Sequence, residues 1–226
     1  MKLSIIIPTL NEGAVIRSAL TALACLRSAG HEIIVADGGS NDETVKLAYP
    51  LADNVISSET GRARQMNAGA KAAHGDVLVF LHADTLLPLN ADSVIINGLI
   101  RSGKVWGRFD VRLAGRRSLL RIIEAMMNWR SRLSGIATGD QCLFIRRNVF
   151  EDTGGYPEIA LMEDIAITGL LKQHGRPLCI KQRVVTSSRR WEQHGILRTI
   201  LLMWRLRLAY FLGADPKRLA QVYRRL

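Results

Sequence analysis

One nitrogen ligand and one carboxylate stand two positions apart in this chain, His82 and Asp84, directly after an apolar run. Gly75-Asp76-Val77-Leu78-Val79-Phe80-Leu81 has the apolar, β-branched character of a fully buried strand. In an open parallel sheet, ligands bind beyond the carboxyl ends of the strands. Residues i and i+2 of a strand face the same way. His82 and Asp84 are therefore expected to approach one small charged object, such as a divalent metal holding a phosphate. A plain acidic turn after a strand is the alternative.

Five other groups carry possible chemistry. Pro8-Thr9-Leu10-Asn11-Glu12 follows the first apolar run. Its side chains suit either the edge of a base or ribose, or the capping of a helix by Asn11 and Glu12. Asp37-Gly38-Gly39-Ser40-Asn41-Asp42 is a glycine turn that lets backbone approach a ligand closely. Gly61-Arg62-Ala63-Arg64-Gln65-Met66-Asn67 places two guanidinium forks at a helix start, where an anion is already favoured. Gly139-Asp140-Gln141 and Met162-Glu163-Asp164 add acids in the second half. Glu163 and Asp164 read as helix-start residues or as a general base facing a cleft. Neither a G-x-G-x-x-G nor a G-x-x-x-x-G-K-[ST] motif occurs.

The elements that must position these groups alternate. Short buried strands are expected at 4–7, 32–36, 54–57 and 76–81. Helices are expected at 12–28, with Asn11 as N-cap, at 42–49 and at 62–73. This alternation predicts an α/β fold, a doubly wound, mostly parallel sheet with helices on both faces. After residue 100, Phe109, Val111 and Leu113 alternate with Arg108, Asp110 and Arg112, the pattern of a half-exposed strand. Residues 117–133 read as a basic helix, 141–146 as a strand and 163–173 as a helix. The tail, 196–212, is apolar but interrupted by Arg198, Arg205 and Arg207, which fits a basic amphipathic helix at a membrane surface or a helix packed with arginines at its rim.

Length and composition set the frame. The 226 residues are 48% hydrophobic and 23% charged, which fits one globular domain over 1–226. Its three cysteines are far apart and fit free thiols in a reducing, cytoplasmic setting. Charge is uneven: 1–100 carries 7 basic and 10 acidic residues, while 101–226 carries 24 and 10. The basic half points to nucleic acid, anionic lipid or a phosphorylated substrate.

Taken in order, P-T-L-N-E at 8–12, V-A-D-G-G-S-N-D at 35–42, the strand-end acid at 84 and E-D at 163–164 resemble glycosyltransferase family 2, inverting enzymes of the GT-A fold. The resemblance covers roughly residues 1–190. It extends to a short bacterial subgroup with L-H-A-D at the metal site, G-R-A-R-Q-M-N-x-G before it and S-R-R-W after the E-D.

The resemblance implies a nucleotide-binding half, 1–100, an acceptor-binding half, 101–195, and a helical tail, 196–226. It implies a nucleotide-sugar donor, by family default a UDP-sugar, and a Mn²⁺ or Mg²⁺ cofactor. Pro8, Thr9 and Glu12 would line the nucleobase pocket, with Asp37 on the uracil or ribose. Arg62, Arg64 and Asn67 would lie near the nucleotide. Asp84 matches the last acid of the family's D-x-D metal motif, and Asp164 its catalytic base, beside Glu163. Gly139, Asp140 and Gln141 would border acceptor and donor sugar. Arg190-Trp191 matches the R-W of a Q-x-x-R-W motif, with Ser187 in place of the glutamine. His82 replaces a carboxylate, so it either ligates weakly, contacts phosphate or sugar, or is structural. His194 is a second candidate ligand. The expected acceptor is lipid-linked at the membrane's cytoplasmic face, with a soluble metabolite as the alternative. A sugar-nucleotide pyrophosphorylase and a basic nucleic-acid-binding module are the rival readings. Nucleic acid is not an expected partner, because carboxylates stand at four successive chain turns.

Overall fold

A computed structural model describes residues 1–224, apart from the side chains of Arg190, His194 and Arg224. The first half runs β1 (Leu3–Thr9), α1 (Ile16–Ala22), α2 (Ala24–Ser28), β2 (Glu32–Asp37), α3 (Thr44–Ala48), β3 (Asn54–Ser57), α4 (Arg62–Ala72), β4 (Val77–Phe80), β5 (Thr85–Leu86) and α5 (Ala91–Ser102). The second runs β6 (Trp106–Leu113), α6 (Ser118–Ser134), β7 (Leu143–Arg146), α7 (Arg147–Asp152), α8 (Glu163–Leu171), β8 (Leu178–Thr186), α9 (Arg189–His194), α10 (Ile196–Phe211) and α11 (Pro216–Arg224).

The strands form one sheet in the order β3-β2-β1-β4-β7-β6-β8-β5. β3, β2, β1 and β4 are mutually parallel, whereas β7 is antiparallel to both β4 and β6. Both faces are covered, because side chains alternate along each strand. Ile5, Ile7, Val77 and Val79 join one core cluster with Ile16 and Leu20 of α1 and Leu120 and Ile123 of α6. Ile6, Leu78 and Phe80 join the opposite cluster with Ala63 and Met66 of α4 and Phe150 of α7. Continuous apolar runs are what such doubly covered strands require. α4 lies so close to β1 that a Cβ on Gly69 would stand 2.4 Å from Ile6 Cγ2.

Three expectations need correction. The single helix over 12–28 is two, α1 and α2, broken at Leu23, and Asn11 does not cap it. Asn11 is left-handed (φ 55°), and its side-chain oxygen instead accepts the Asn41 N–H. The β4 strand ends at Phe80, so His82 and Asp84 occupy a turn, not successive positions of a strand. The β6 strand is not half-exposed: Arg108 and Asp110 are buried along with the apolar residues. Arg108 is paired with Asp110, which also receives a two-point contact from Arg132 of α6, at 2.7 and 3.1 Å. Charges survive inside when matched by opposite charge and hydrogen bonds. Asp110→Ala strands the Arg108 guanidinium in the interior. It should cost about 3–5 kcal/mol, read as a lower urea midpoint at unchanged slope.

Candidate active site

The turn after β4 meets the turn before β7. Phe80 pairs with Leu143, so the chain leaving β4 stands beside the chain entering β7. The incoming turn, Gly139–Gln141, is a short 3-10 helix. A Cβ on Gly139 would lie 2.4 Å from His82 Nε2, so any side chain there would push the imidazole out of its present position. The His82 Nδ1 is 3.5 Å from Asp140 Oδ1. The Gly139 N–H donates to Asp164 Oδ2 at 3.0 Å, which ties this turn to the start of α8.

A cleft of about 440 Å³ opens over this corner. Its walls include Pro8 and Glu12 from after β1, Arg62 from α4, His82 and Asp84 from after β4, Gly139 and Asp140, and Glu163 and Asp164. Trp191 of α9 also lines it. Among the described residues, the three non-glycine left-handed positions are Asn11, Cys142 and Met162, each next to one of these segments. Such backbone strain persists only where surrounding structure holds it, and it concentrates at functional sites.

The other expected residues lie elsewhere. Thr9 and Asp37 are buried and do not line the cleft. The Asp37 carboxylate accepts the Gly39 and Ser40 N–H groups at 3.0 and 2.8 Å and the Thr9 hydroxyl at 3.1 Å, so it shapes its own turn. Arg64 is engaged by Glu59 (2.5 Å) and Glu158 (3.2 Å). Asn67 clamps the Tyr156 backbone through both side-chain atoms, each at 2.8 Å. Gln141 is fully buried; it donates to Ser131 Oγ and accepts the Thr138 N–H. The side chains of Arg190 and His194 lie outside the described residues.

Residues not assigned to the site from the sequence complete the cleft. Arg189 and Gln193 of α9, Thr199, Met203 and Arg207 of α10, and Tyr223 of α11 line it. The signal was present: Thr199, Met203 and Arg207 recur every fourth residue and so share one helix face. Behind them, burial and then the Arg207 charge push Arg130 down to about 10. Its Nε and Nη2 are buried without hydrogen-bond partners among the described residues.

The cleft therefore has two poles. Burial, and then the Asp84 charge, raise Glu12 above the ordinary carboxylate value. Burial, and then Asp164, raise Glu163, although Arg62 Nη1 lies 3.7 Å from it. A divalent cation would relieve this repulsion, and hard carboxylate oxygens such as those of Asp84 and Glu12 suit Mg²⁺ or Mn²⁺. Among the described residues no group of three His, Cys, Asp or Glu side chains is arranged to hold a metal. A small dication needs only one or two protein carboxylates when substrate phosphates and water complete its shell, so the donor set fits.

A raised carboxylate pKa carries a sign for stability. The stabilising contribution of such a group is complete below its unfolded value and lost as pH rises through the folded one. Glu163→Gln should therefore raise the melting temperature at pH 7.5, and the gap should close as pH falls below 4.5, the ordinary value for this group. Thermal scans across that range check it.

Comparison with known proteins follows the same lines. Residues 4–154 match the family described as Glycosyl transferase family 2. A probable glycosyltransferase of Bacillus subtilis, YdaM, is 29% identical over 94% of this chain and 55% of its own length. Staphylococcus aureus TarS in complex with UDP-GlcNAc superposes with a TM-score of 0.70 at 19% identity, covering 83% of this chain and 58% of that one. The Pyrobaculum calidifontis mannosyltransferase PcManGT, in complex with GDP-Man and Mn²⁺, gives 0.65 at 21% identity over 92% of this chain and 61% of that one. These likenesses identify the GT-A fold. The chain spans about half the length of the curated relatives it matches, 55% for the Bacillus protein. With two thirds of its length inside the match, the chain belongs to glycosyl transferase family 2.

Proposed function

We propose that the chain is an inverting glycosyltransferase that moves a sugar from a nucleotide diphosphate donor to an acceptor hydroxyl. The observation that carries this reading is the shared cleft: Asp164 lines the same 440 Å³ space as Glu12, Arg62, His82 and Asp84. A proton acceptor and a phosphate-and-metal pole on one cavity are what such a transfer needs. In this reading 1–100 binds the nucleotide, 101–195 the acceptor, and the tail closes the cleft.

The roles follow from position. Pro8 and Glu12 border the nucleoside, on a loop braced by Thr9 and Asp37. Arg62 and His82 contact diphosphate oxygens. Asp84, with Glu12 near it, would hold Mn²⁺ or Mg²⁺, and the bound cation would neutralise charge gathering on the departing diphosphate. Asp164 takes the proton from the acceptor hydroxyl. The freed oxygen forms a bond to the anomeric carbon as the bond from that carbon to the diphosphate oxygen breaks on the opposite face. The Gly139 N–H, 3.0 Å from Asp164 Oδ2, holds the carboxylate in place for this step. Trp191 and Asp140 flank the sugar.

A UDP-sugar is the proposed donor, supported by the UDP-GlcNAc bound to TarS; the GDP-Man bound to PcManGT marks the alternative. The acceptor is proposed to be lipid-linked and anionic, met at the cytoplasmic face of a membrane. The cationic pole of Arg130 and Arg207 behind the carboxylates supports an anionic group there.

Asp164→Asn should lower kcat for sugar transfer by about 10²–10⁴-fold while UDP binds nearly as before, as seen by calorimetry beside a turnover assay. Near-normal turnover would remove the base assignment. Asp84→Asn should weaken metal-dependent UDP binding, so that adding Mn²⁺ no longer tightens it. An unchanged Mn²⁺ effect would move the metal elsewhere.

A further inference from the structure

Two helices present apolar stripes to solvent. On α6 the exposed large side chains are Leu119, Ile122, Met126, Trp129 and Leu133. On α10 they are Leu197, Leu201, Trp204, Leu208 and Phe211. Both sets step by three and four, so each is one continuous face. The inward faces are already used. Leu120, Ile123 and Met127 of α6 enter the core, and Thr199, Met203 and Arg207 of α10 line the cleft. Trp129 and Trp204 are 67% and 55% exposed, although a large aromatic ring is normally the first side chain a fold buries.

The two faces belong to one surface. Leu120 of α6 and Ile196, at the start of α10, pack in the same core cluster, so both helices cover the same side of the sheet. Gly115, just before α6, stands against Glu192, just before α10. Farther along, Arg130 of α6 senses the charge of Arg207 of α10. The starts of the two helices therefore lie close together on one side of the sheet, and each helix turns its apolar stripe to solvent.

The surrounding charge selects the occupant. Arg116 and Arg117 are exposed at the start of α6, and Arg198 and Arg205 on α10. The one acid within α6, Glu124, is buried and accepts the Leu113 N–H. No acid occurs in α10. Apolar stripes carrying tryptophan and fringed mainly by arginine, with Glu192 and Asp215 as the exposed acids just outside the two ends of α10, match an anionic bilayer, where rings sit at headgroup depth and guanidinium groups meet lipid phosphates. Among the described residues no helix is long and apolar enough to cross a membrane, so the contact would be parallel to the surface.

We propose that the outer faces of α6 and α10 form a docking surface for an anionic lipid bilayer. This goes beyond the transfer reaction and does not depend on it. Because α10 faces lipid on one side and the cleft on the other, docking would hold the cleft mouth beside the headgroups.

Flotation of the full chain with vesicles tests it. Vesicles of equal parts phosphatidylcholine and phosphatidylglycerol should carry the protein up, and phosphatidylcholine alone should not. Added salt should weaken binding, since the charge component is screened. Trp129→Gln with Trp204→Gln, and separately Arg117→Glu with Arg205→Glu, should each lower the bound fraction about tenfold. These exposed positions lie outside the cleft, so circular dichroism and Mn²⁺-dependent UDP binding should stay as in the parent chain. No flotation with the anionic vesicles, or equal flotation of both variants, would overturn the proposal. So would a dimer by light scattering that the tryptophan variant dissolves while the parent fails to bind vesicles. Loss of UDP binding in the parent chain would count against the transferase reading alone.

Discussion

The site depends on one antiparallel pairing. β1, β2, β3 and β4 all run the same way, and the sheet would end at β4 without β7. The Phe80–Leu143 register brings the chain leaving β4 against the chain entering from Gly139–Gln141. His82 and Asp84 come from the first segment, and Gly139 and Asp140 from the second. A parallel neighbour would have placed its own departing loop there, with a different set of side chains. The absence of a side chain on Gly139 then lets the His82 ring sit against the backbone, and the Gly139 N–H reaches Asp164. Three segments far apart in sequence are thus locked together by a strand register and one hydrogen bond.

The cost of this corner is electrostatic. Glu12, Asp84, Asp140, Glu163 and Asp164 share a partly buried cleft, and Glu12 and Glu163 are pushed towards protonation by burial and by their neighbours. Asp140 goes the other way: burial opposes its charge, but the hydrogen bond and charge of His82, with Arg62 and Arg207, hold it below the ordinary range. Arg62, His82 and Arg207 are present yet do not restore Glu12 or Glu163. Such a cavity would suit a ligand that brings both cation and phosphate, since a bound cation would relieve the repulsion among these carboxylates. Left-handed Asn11 and Met162, beside Glu12 and Glu163, are local strain that packing against the sheet must offset.

Much of this was legible in the chain because the strands are buried on both faces. Continuous apolar runs at Leu3–Thr9, Glu32–Asp37 and Val77–Phe80 have one reading in an alternating pattern. The acids and glycines at their ends mark where ligands approach. Periodicity failed where side chains pair in the interior. Arg108 and Asp110 resemble a solvent face until Arg132 arrives from a helix, 22 residues beyond Asp110. Asp37, Asn67 and Gln141 have the chemistry of ligand contacts, but their hydrogen bonds go to nearby backbone and hydroxyl groups, which no spacing rule reveals. Arg207 was legible as a charge in the apolar tail but was read with Arg198 and Arg205 as a rim residue; its alignment with Thr199 and Met203, which turns it to the cleft, mattered more than its charge.

Paramagnetic broadening by Mn²⁺ in the presence of UDP would test the account most directly. In a ¹H–¹⁵N spectrum, the backbone amides of Ala83, Asp84, Gly139 and Asp140 should broaden together and recover when Mg²⁺ replaces Mn²⁺. Those of Asn67 and Gly155, which line a separate depression, should remain sharp. Broadening centred on that depression, or none at the β4–β7 corner, would contradict the claim that this pairing builds the nucleotide site.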